Sequence, residues 1–409
     1  MKKKILFIIN TMGQAGAETA LIELLKKLQT MDDIELFLYV IIPCGELFEK
    51  VPRKVKILNK TYSKASLHSF LGHMIIAKEL IYSFFYKLTG FKNCKLIIGN
   101  IKEQKAKGNK LQWDKLLWRL LAEGRPIRKD TYHMAVAYLE GAATYYLGDK
   151  VKAACKAAFV HIDYELAGYS PYMDRDCYKS MDRIYVVSKG VGEKFSKIYP
   201  QYRKKIRLFR NLLDRELIVE KAGRGIGFTD DFDGIRLVSV GRLHYQKAYD
   251  LAIEALAKIL NEGYKVRWYV IGEGKERSNL KKLIKKYGVR EAFVLLGKKD
   301  NPYPYINQAD IFVQASRFEG KSIAIEEAQI LGKAIIASDC TGNAEQIISG
   351  HDGSLFSLNV DNLVREIKKL IDNPILRGQY EKNTKEKNFE DPKDMEDFLY
   401  LIRLGDDLI

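Results

Sequence analysis

Two acidic residues eight positions apart, Glu319 and Glu327, stand in the segment Arg317-Phe318-Glu319-Gly320-Lys321-Ser322-Ile323-Ala324-Ile325-Glu326-Glu327-Ala328. The segment follows an apolar run, Asp310–Gln314, and takes on helical spacing after it, so it reads as strand, loop and helix. Glu319 would sit in the strand-to-helix loop and Glu327 about two turns further along; steps of roughly 100° would leave their side chains about 80° apart, able to face one ligand. Carboxylates accept from hydroxyls, so a sugar or a ribose suits the pair. The first amides of the helix, near Gly320, Lys321, Ser322 and Ile323, would face an anion such as a diphosphate. On spacing alone, an ordinary solvated helix with glutamates near its positive end fits equally well.

A second loop, Gly241-Arg242-Leu243-His244-Tyr245-Gln246-Lys247, leaves the apolar run Ile235–Val240. Arg242 and Lys247 at its two ends could neutralise a diphosphate, the guanidinium by forked hydrogen bonds and the ammonium as a point charge. Taken singly, either is surface charge in a chain with 68 Lys plus Arg.

The elements that must position these groups repeat one plan in both halves. Ile5–Ile9 is a continuous apolar run, as in a parallel strand covered on both faces. A glycine-bearing loop, an amphipathic segment Thr19–Leu28 and a second strand Glu35–Ile42 complete a βαβ unit. Short strands return at Met134–Tyr138, Ala157–His161 and Asp182–Val187. The second half restarts more cleanly: strands at Ile235–Val240, Val266–Ile271, Phe293–Leu296, Ile311–Gln314 and Ala334–Ala337 alternate with helices at Lys247–Leu260 and about Glu276–Tyr287. Asn211–Asp231, with three glycines, is the linker candidate. The predicted architecture is α/β, two doubly wound Rossmann-like domains facing across a cleft, ligands lying beyond the carboxyl ends of the strands. Predicted boundaries are 1–210, with a helical basic and aromatic insertion at about 64–129, then 211–390, and a terminal segment 391–409 that packs back on the first domain or frays.

Composition bounds the function classes. The chain has 409 residues, 47% hydrophobic and 29% charged, which excludes collagenous or wholly disordered readings. A net charge of +16 favours anionic partners. Nucleic acid is not expected, because no zinc-finger spacing, aromatic RNP strand or recognition-helix motif accompanies the charge. Five scattered cysteines without a Cys-x-x-Cys pair fit a reducing cytoplasm. The amino-terminal apolar run is short for a signal peptide, and Leu67–Phe91 is broken by charge, so a soluble or peripheral protein is expected.

Glu319 and Glu327, followed by Ala328, resemble the E-x7-E motif of retaining GT-B glycosyltransferases, in particular the "group 1" or family 4 set. Val240-Gly241-Arg242-Leu243 with Lys247 resembles the V-G-R-L…K-G loop, Ile271-Gly272-Glu273-Gly274 the I-G-x-G turn, and Ala309-Asp310-Ile311-Phe312-Val313-Gln314-Ala315-Ser316 the A-D-[ILV]-x-V-x-P-S strand. Gly16-Ala17-Glu18 resembles the G-G-A-E loop, and Val160-His161-Ile162-Asp163 the mid-domain H-x-D segment. The resemblance implies a nucleotide-sugar donor, a UDP-sugar by preference, and a hexose moved with retention to a glycan or lipid-linked acceptor in bacterial surface-polysaccharide assembly. It implies no cofactor and no metal: Arg242, Lys247 and helix amides take the place of a divalent cation. Glu319 would contact the donor sugar and Glu327 the ribose. Gly13, Gly16, Gly297, Lys298, Gly320, Lys321, Ser322 and Ile323 would border the donor. His161 would act on the acceptor side with Asp163, which either positions it or shapes a turn, and Glu140, which either lines the cleft or belongs to a turn. Lys321, Ser322, the Gln14-Ala15-Gly16 run and Ala248 depart from the family's usual residues. A nucleotide-sugar epimerase-like enzyme and a non-catalytic basic binding protein are the alternatives.

Within 64–129, Phe84, Phe85, Tyr86, Phe91, Trp113 and Trp118 alternate with lysines and arginines, among them Lys87, Lys92, Arg119, Arg125 and Arg128. Such a segment either lies on an anionic membrane surface or is a helical insertion with aromatics inside and lysines solvated.

Overall fold

The computed structural model describes residues 2–404 apart from 68, 107–112, 165, 168, 170 and 388–391; the side chains of 86, 90, 113–115 and 392 also lie outside the description. Two compact units divide the chain: Met1–Leu212 with Glu390–Ile409, and Leu213–Phe389.

The first unit is built on seven strands: β1 (Lys3–Ile9), β2 (Ile34–Val40), β3 (Lys56–Ile57), β4 (Thr131–Ala137), β5 (Lys152–Val160), β6 (Arg183–Val186) and β7 (Ile206–Leu208). They lie in the order β3-β2-β1-β4-β5-β6-β7, all parallel. The central strands are apolar on both faces because helices cover both; Ile5, Leu6, Phe7, Ile8 and Ile9 are fully buried. The chain starts in the middle, moves out to β3 and returns to β4 beside β1. The loops after β1 and β4 therefore diverge at the carboxyl edge, where doubly wound sheets hold ligands.

The second unit repeats the plan with β8 (Ile235–Val240), β9 (Val266–Ile271), β10 (Phe293–Gly297), β11 (Ile311–Gln314), β12 (Ala334–Ser338) and β13 (Ser354–Phe356), ordered β10-β9-β8-β11-β12-β13 and all parallel. Its switch point falls between β8 and β11. The buried Trp268 indole donates to Ser239 Oγ at 2.9 Å, and Ser239 Oγ donates to Val313 O at 2.6 Å, pinning β9, β8 and β11 in register.

Two expectations are corrected, and one of the two readings left open for the terminal segment is met. The linker candidate Asn211–Asp231 contains a helix, Arg215–Arg224, capped by the Asp214 carboxylate on Leu217 N at 2.9 Å and packed through Ile218 and Ala222. The helix expected from Lys247 starts at Tyr249, because Ala248 sits in the left-handed region (φ 50°) and interrupts the turn. The helix Pro392–Leu404 is ordered on the first unit: Phe398 is fully buried among Phe7, Phe159, Tyr185 and Phe209, and Asp394 accepts from Arg210 Nη1 at 3.0 Å.

The insertion forms helices Phe70–Ile81, Thr89–Lys92, Cys94–Ala106 and Trp113–Gly124, with a π turn at Tyr82–Tyr86. Its two ends behave differently. Arg119 is buried, binding Glu123 at 3.1 Å and Asp149 at 2.9 Å; Arg125 binds Glu79 at 2.5 Å; Arg128 stacks on Tyr39; and Trp118 packs on the core. These groups hold the insertion to the sheet and are not a surface charge array. Trp113 and the lysines at 107, 110 and 115, also expected at a surface, lie outside the described residues or side chains. Among the described residues no helix is long and apolar enough to cross a membrane.

Candidate active site

The two loops singled out in the second half leave β8 and β11, the strands flanking the switch point. The β8 loop is held by glycine contacts that a side chain would break. Gly272 follows β9 at φ +149°, and a Cβ there would lie 2.0 Å from Gly241 O; a Cβ on Gly274 would lie 2.4 Å from Leu243 O. Leu243 N donates to Glu273 O at 2.9 Å, and Gly241 N to Ile271 O at 3.0 Å, so the turn after β9 braces the loop after β8.

The β8 loop is in turn laced to the β11 loop. Arg317 N donates to Gln246 O at 2.7 Å, Gln246 Nε2 donates to Phe318 O at 2.9 Å, and Arg317 forks onto Asp250 at 3.0 and 2.6 Å while stacking on Tyr245. These contacts bring Lys247 and Glu319 together: Lys247 Nζ lies 2.5 Å from Glu319 Oε1. Ser316 Oγ donates to the same oxygen at 2.7 Å, and Gln246 and Gln314 amides approach the carboxylate at 3.3 Å. A buried carboxylate with this many donors is fixed in orientation. Arg242, at the start of the loop, is exposed and, among the described residues, its guanidinium has no carboxylate partner.

The β11 loop enters the helix Ile323–Ile330 through Ser322, whose Oγ caps Ile325 N at 3.4 Å. Gln346 grips Ser322 on both sides, accepting from its amide at 2.8 Å and donating to its carbonyl at 2.9 Å. The Ser322 amide, expected to face an anion, is thus occupied by Gln346. Because helical turns begin only at Ile323, the estimate of about 80° between Glu319 and Glu327 is replaced by a different arrangement: Glu319 sits in the loop with Lys247, while Glu327 is buried within the helix and accepts from Tyr303 Oη at 3.0 Å. Burial pushes the Glu327 carboxyl up to about 7, the Tyr303 bond pulling against it and Glu326 adding to it. Lys321, in the loop, is paired with Glu326 in the first turn of the helix. Gly297 closes β10 at φ +74°, and Lys298 after it is exposed.

In the first unit, Gly13 is buried against Leu67 and Gly16 opens the helix Gly16–Leu28. Asn10 ties the β1 and β4 loops, its amide donating to Glu140 O at 3.0 Å and its carbonyl accepting from Ala143 N at 2.8 Å. Glu140 Oε2 accepts from His161 N at 3.0 Å, so these two predicted neighbours do meet. The imidazole lies beside Tyr138 and Phe159, and burial holds its pKa down to about 4, leaving it neutral near pH 7. Asp163 does not position the ring. It pairs with Lys194 and accepts from Leu166 N at 3.2 Å, the turn role of the two alternatives. Asp174 and Asp176, which have the form of a metal-binding Asp-x-Asp, serve separate tyrosine networks: Asp174 accepts from Tyr145 and Tyr164 at 2.8 and 2.7 Å, and Asp176 from Tyr202.

The placement of a lysine, a braced carboxylate and an exposed arginine at the switch point of a Rossmann-like sheet coincides with a family match. Residues 231–387 match the family described as Glycosyl transferases group 1. The second unit carries that match. Among relatives, the Campylobacter jejuni N-acetylgalactosamine-N,N'-diacetylbacillosaminyl-diphospho-undecaprenol 4-alpha-N-acetylgalactosaminyltransferase is 30% identical over 231 residues, 55% of this chain and 61% of the relative. The chain thus spans about three fifths of that relative's length. Anabaena HepE in complex with UDP and glucose has a TM-score of 0.68 at 16% identity, covering 98% of this chain and 99% of that one. S. aureus TarM, as a mutant in complex with Fondaparinux, alpha-GlcNAc-glycerol and UDP, has a TM-score of 0.66 at 13% identity over 98% and 99%. The fold is GT-B.

Sequence reasoning missed the side chains that hold the acids, Gln246, Gln314 and Tyr303, and Gln346, which holds the Ser322 backbone. Only Ser316 carried a signal, as the last residue of the quoted β11 motif.

Proposed function

We propose that this chain is a retaining glycosyltransferase of the group 1 type that moves a hexose from a nucleoside diphosphate sugar, a UDP-sugar, to a glycan or lipid-linked acceptor in bacterial surface-polysaccharide synthesis, at the cytoplasmic face of the membrane. The observation that carries the reading is the Lys247–Glu319 pair at the β8/β11 switch point with exposed Arg242 at the start of the same loop. As the glycosidic bond breaks, negative charge grows on the departing diphosphate; a guanidinium and an ammonium already in place stabilise it without reorganisation. Lys247 is then shared between the Glu319 carboxylate and the phosphate. Glu319, freed of part of that charge, accepts from donor-sugar hydroxyls, and Glu327 from ribose hydroxyls. His161, neutral and joined to Glu140, offers the acceptor side a hydrogen-bonding imidazole and not a cation. The UDP in two structural neighbours and the α-linkage and diphospho-undecaprenol in the relative's name support a uridine donor, retention and a lipid-linked acceptor.

A panel of nucleotide sugars assayed for donor hydrolysis tests this. Arg242→Ala, Lys247→Ala and Glu319→Ala are each expected to lower turnover at least about tenfold, roughly 1.4 kcal/mol of barrier, and chelation of divalent cations to leave it unchanged. Turnover unaffected by all three substitutions, or abolished by chelation, overturns the assignment.

A further inference from the structure

The helix Phe70–Ile81 is apolar on two opposite faces. Ile75, Ile76 and Leu80 point to the core of the first unit, where Glu79 also meets Arg125. Phe70, Leu71, Met74 and Ile81 point away from it and are exposed, Phe70 by 82%. The outward stripe continues past the helix. Tyr82 and Phe85 are exposed on the π turn, Leu88 sits in the left-handed region that ends it, and Phe91 is 68% exposed. The Phe84 ring lies 5.0 Å from Phe85 and 6.1 Å from Phe91, so the stripe remains continuous across the turn. A monomer in water rarely leaves so many large apolar side chains together on one surface.

Charge says what covers it. Residues 70–106 hold six lysines (Lys78, Lys87, Lys92, Lys95, Lys102 and Lys105) against two glutamates, Glu79 and Glu103, and no arginine or aspartate. All six lysines are exposed, whereas Glu79 is engaged inward by Arg125. Lys87 Nζ lies 5.6 Å from the Tyr82 ring centre, so an ammonium borders the apolar stripe directly. Apolar side chains flanked by lysines, on a helix too short to cross a bilayer, match the interface of an anionic membrane: rings enter the acyl boundary and ammoniums meet lipid phosphates. A protein partner would have to be both apolar and acidic.

We propose that the exposed face running from Phe70 to Phe91, with its lysine border, docks this unit on an anionic lipid surface. The anchor touches the unit's own ligand edge. Leu67, three residues before the helix, packs on Gly13 of the β1 loop, and Trp118 of the same insertion lies under Gly141 of the β4 loop. Docking this face therefore brings the membrane to the β1 and β4 loops, the second of which carries Glu140, the acceptor of the His161 amide. The inference needs no assumption about transfer chemistry.

Flotation of the full chain with vesicles of phosphatidylcholine alone, or with phosphatidylglycerol added, tests it. Binding is expected to require phosphatidylglycerol and to weaken at least fivefold between low and high salt. The double variant Phe70→Ser/Phe91→Ser should bind at least tenfold less, and Lys87→Glu/Lys92→Glu should lose the lipid dependence. Both variants should keep the circular dichroism melt and lipid-free donor hydrolysis of the parent, which separates a failure here from a failure of the transferase reading. Equal binding to both vesicle types, equal binding by parent and Phe70→Ser/Phe91→Ser, or a parent dimer that the apolar variant dissociates would overturn it, the last by giving the face to a second copy of the chain.

Discussion

Lys247 and Glu319 lie 2.5 Å apart although sequence reasoning gave them different parts of a ligand, phosphate for one and sugar for the other. The contact couples the two: removing either leaves the other as a buried or half-buried charge without its main partner. Glu327 offers a test that does not depend on turnover. Its folded pKa, about 7, lies above the ordinary 4.5, so the folded state holds the proton more tightly. The associated stability is complete below about pH 4.5 and is lost as pH rises through about 7, a difference on the order of 3 kcal/mol. Glu327→Gln should show no such fall between pH 4.5 and 8 in urea titrations; parallel curves for parent and variant would contradict the burial argument. Ala248 supplies a second test. Its left-handed conformation costs about 1–2 kcal/mol, offsetting what a glycine would lose in chain entropy and methyl burial. Ala248→Gly should therefore be nearly neutral, whereas Ala252→Gly, fully buried in the helix Tyr249–Asn261, should cost about 2 kcal/mol. Equal costs in thermal melts would show that Ala248 is unstrained.

Elements were legible where chemistry gave them sharp edges. Strands β8, β9 and β11 have the limits read from sequence, because each is an apolar run bounded by glycine, charge or a polar turn. The edge strands β3, β7 and β13 escaped, being two or three residues long and mostly half-covered, so neither length nor alternation marks them. The helix Arg215–Arg224 was hidden by its charges and by Gly223, its buried face resting on Ile218 and Ala222 alone. At the candidate site, residue types and spacing singled out Arg242, Lys247, Glu319 and Glu327, but not Gln246 and Gln314 beside the Glu319 carboxylate, since a lone glutamine in a loop or at a strand end follows no period. The helix Pro392–Leu404 left two readings open, packed or frayed, and its packing gives the element-scale prediction. Phe398 closes an aromatic cluster over the first unit's sheet, so Phe398→Ala should cost about 3–5 kcal/mol. UDP affinity measured below the melting transition should stay within twofold, because the donor loops belong to the other unit. A melt unchanged by the substitution would mean that the helix is not part of the core.

At the scale of the whole molecule, one topology is used twice: a parallel sheet that begins at its centre and places its divergent loops at one edge. The two copies differ in what those loops carry. In the second unit they hold two cations and a braced carboxylate; in the first they hold Asn10 and Glu140, which accepts from the amide of a neutral His161 after β5, beside an insertion whose outer face is apolar and basic. The excess of positive charge, +16 in all, is consistent with anions on every side of the reaction: donor, leaving group and lipid. The most direct measurement is a crystal structure of the full chain with a UDP-sugar. The diphosphate should lie within hydrogen-bonding reach of Arg242 and Lys247, with Glu319 on the sugar and Glu327 on the ribose. A donor bound elsewhere on the chain, or these four side chains without contact to it, would contradict the account.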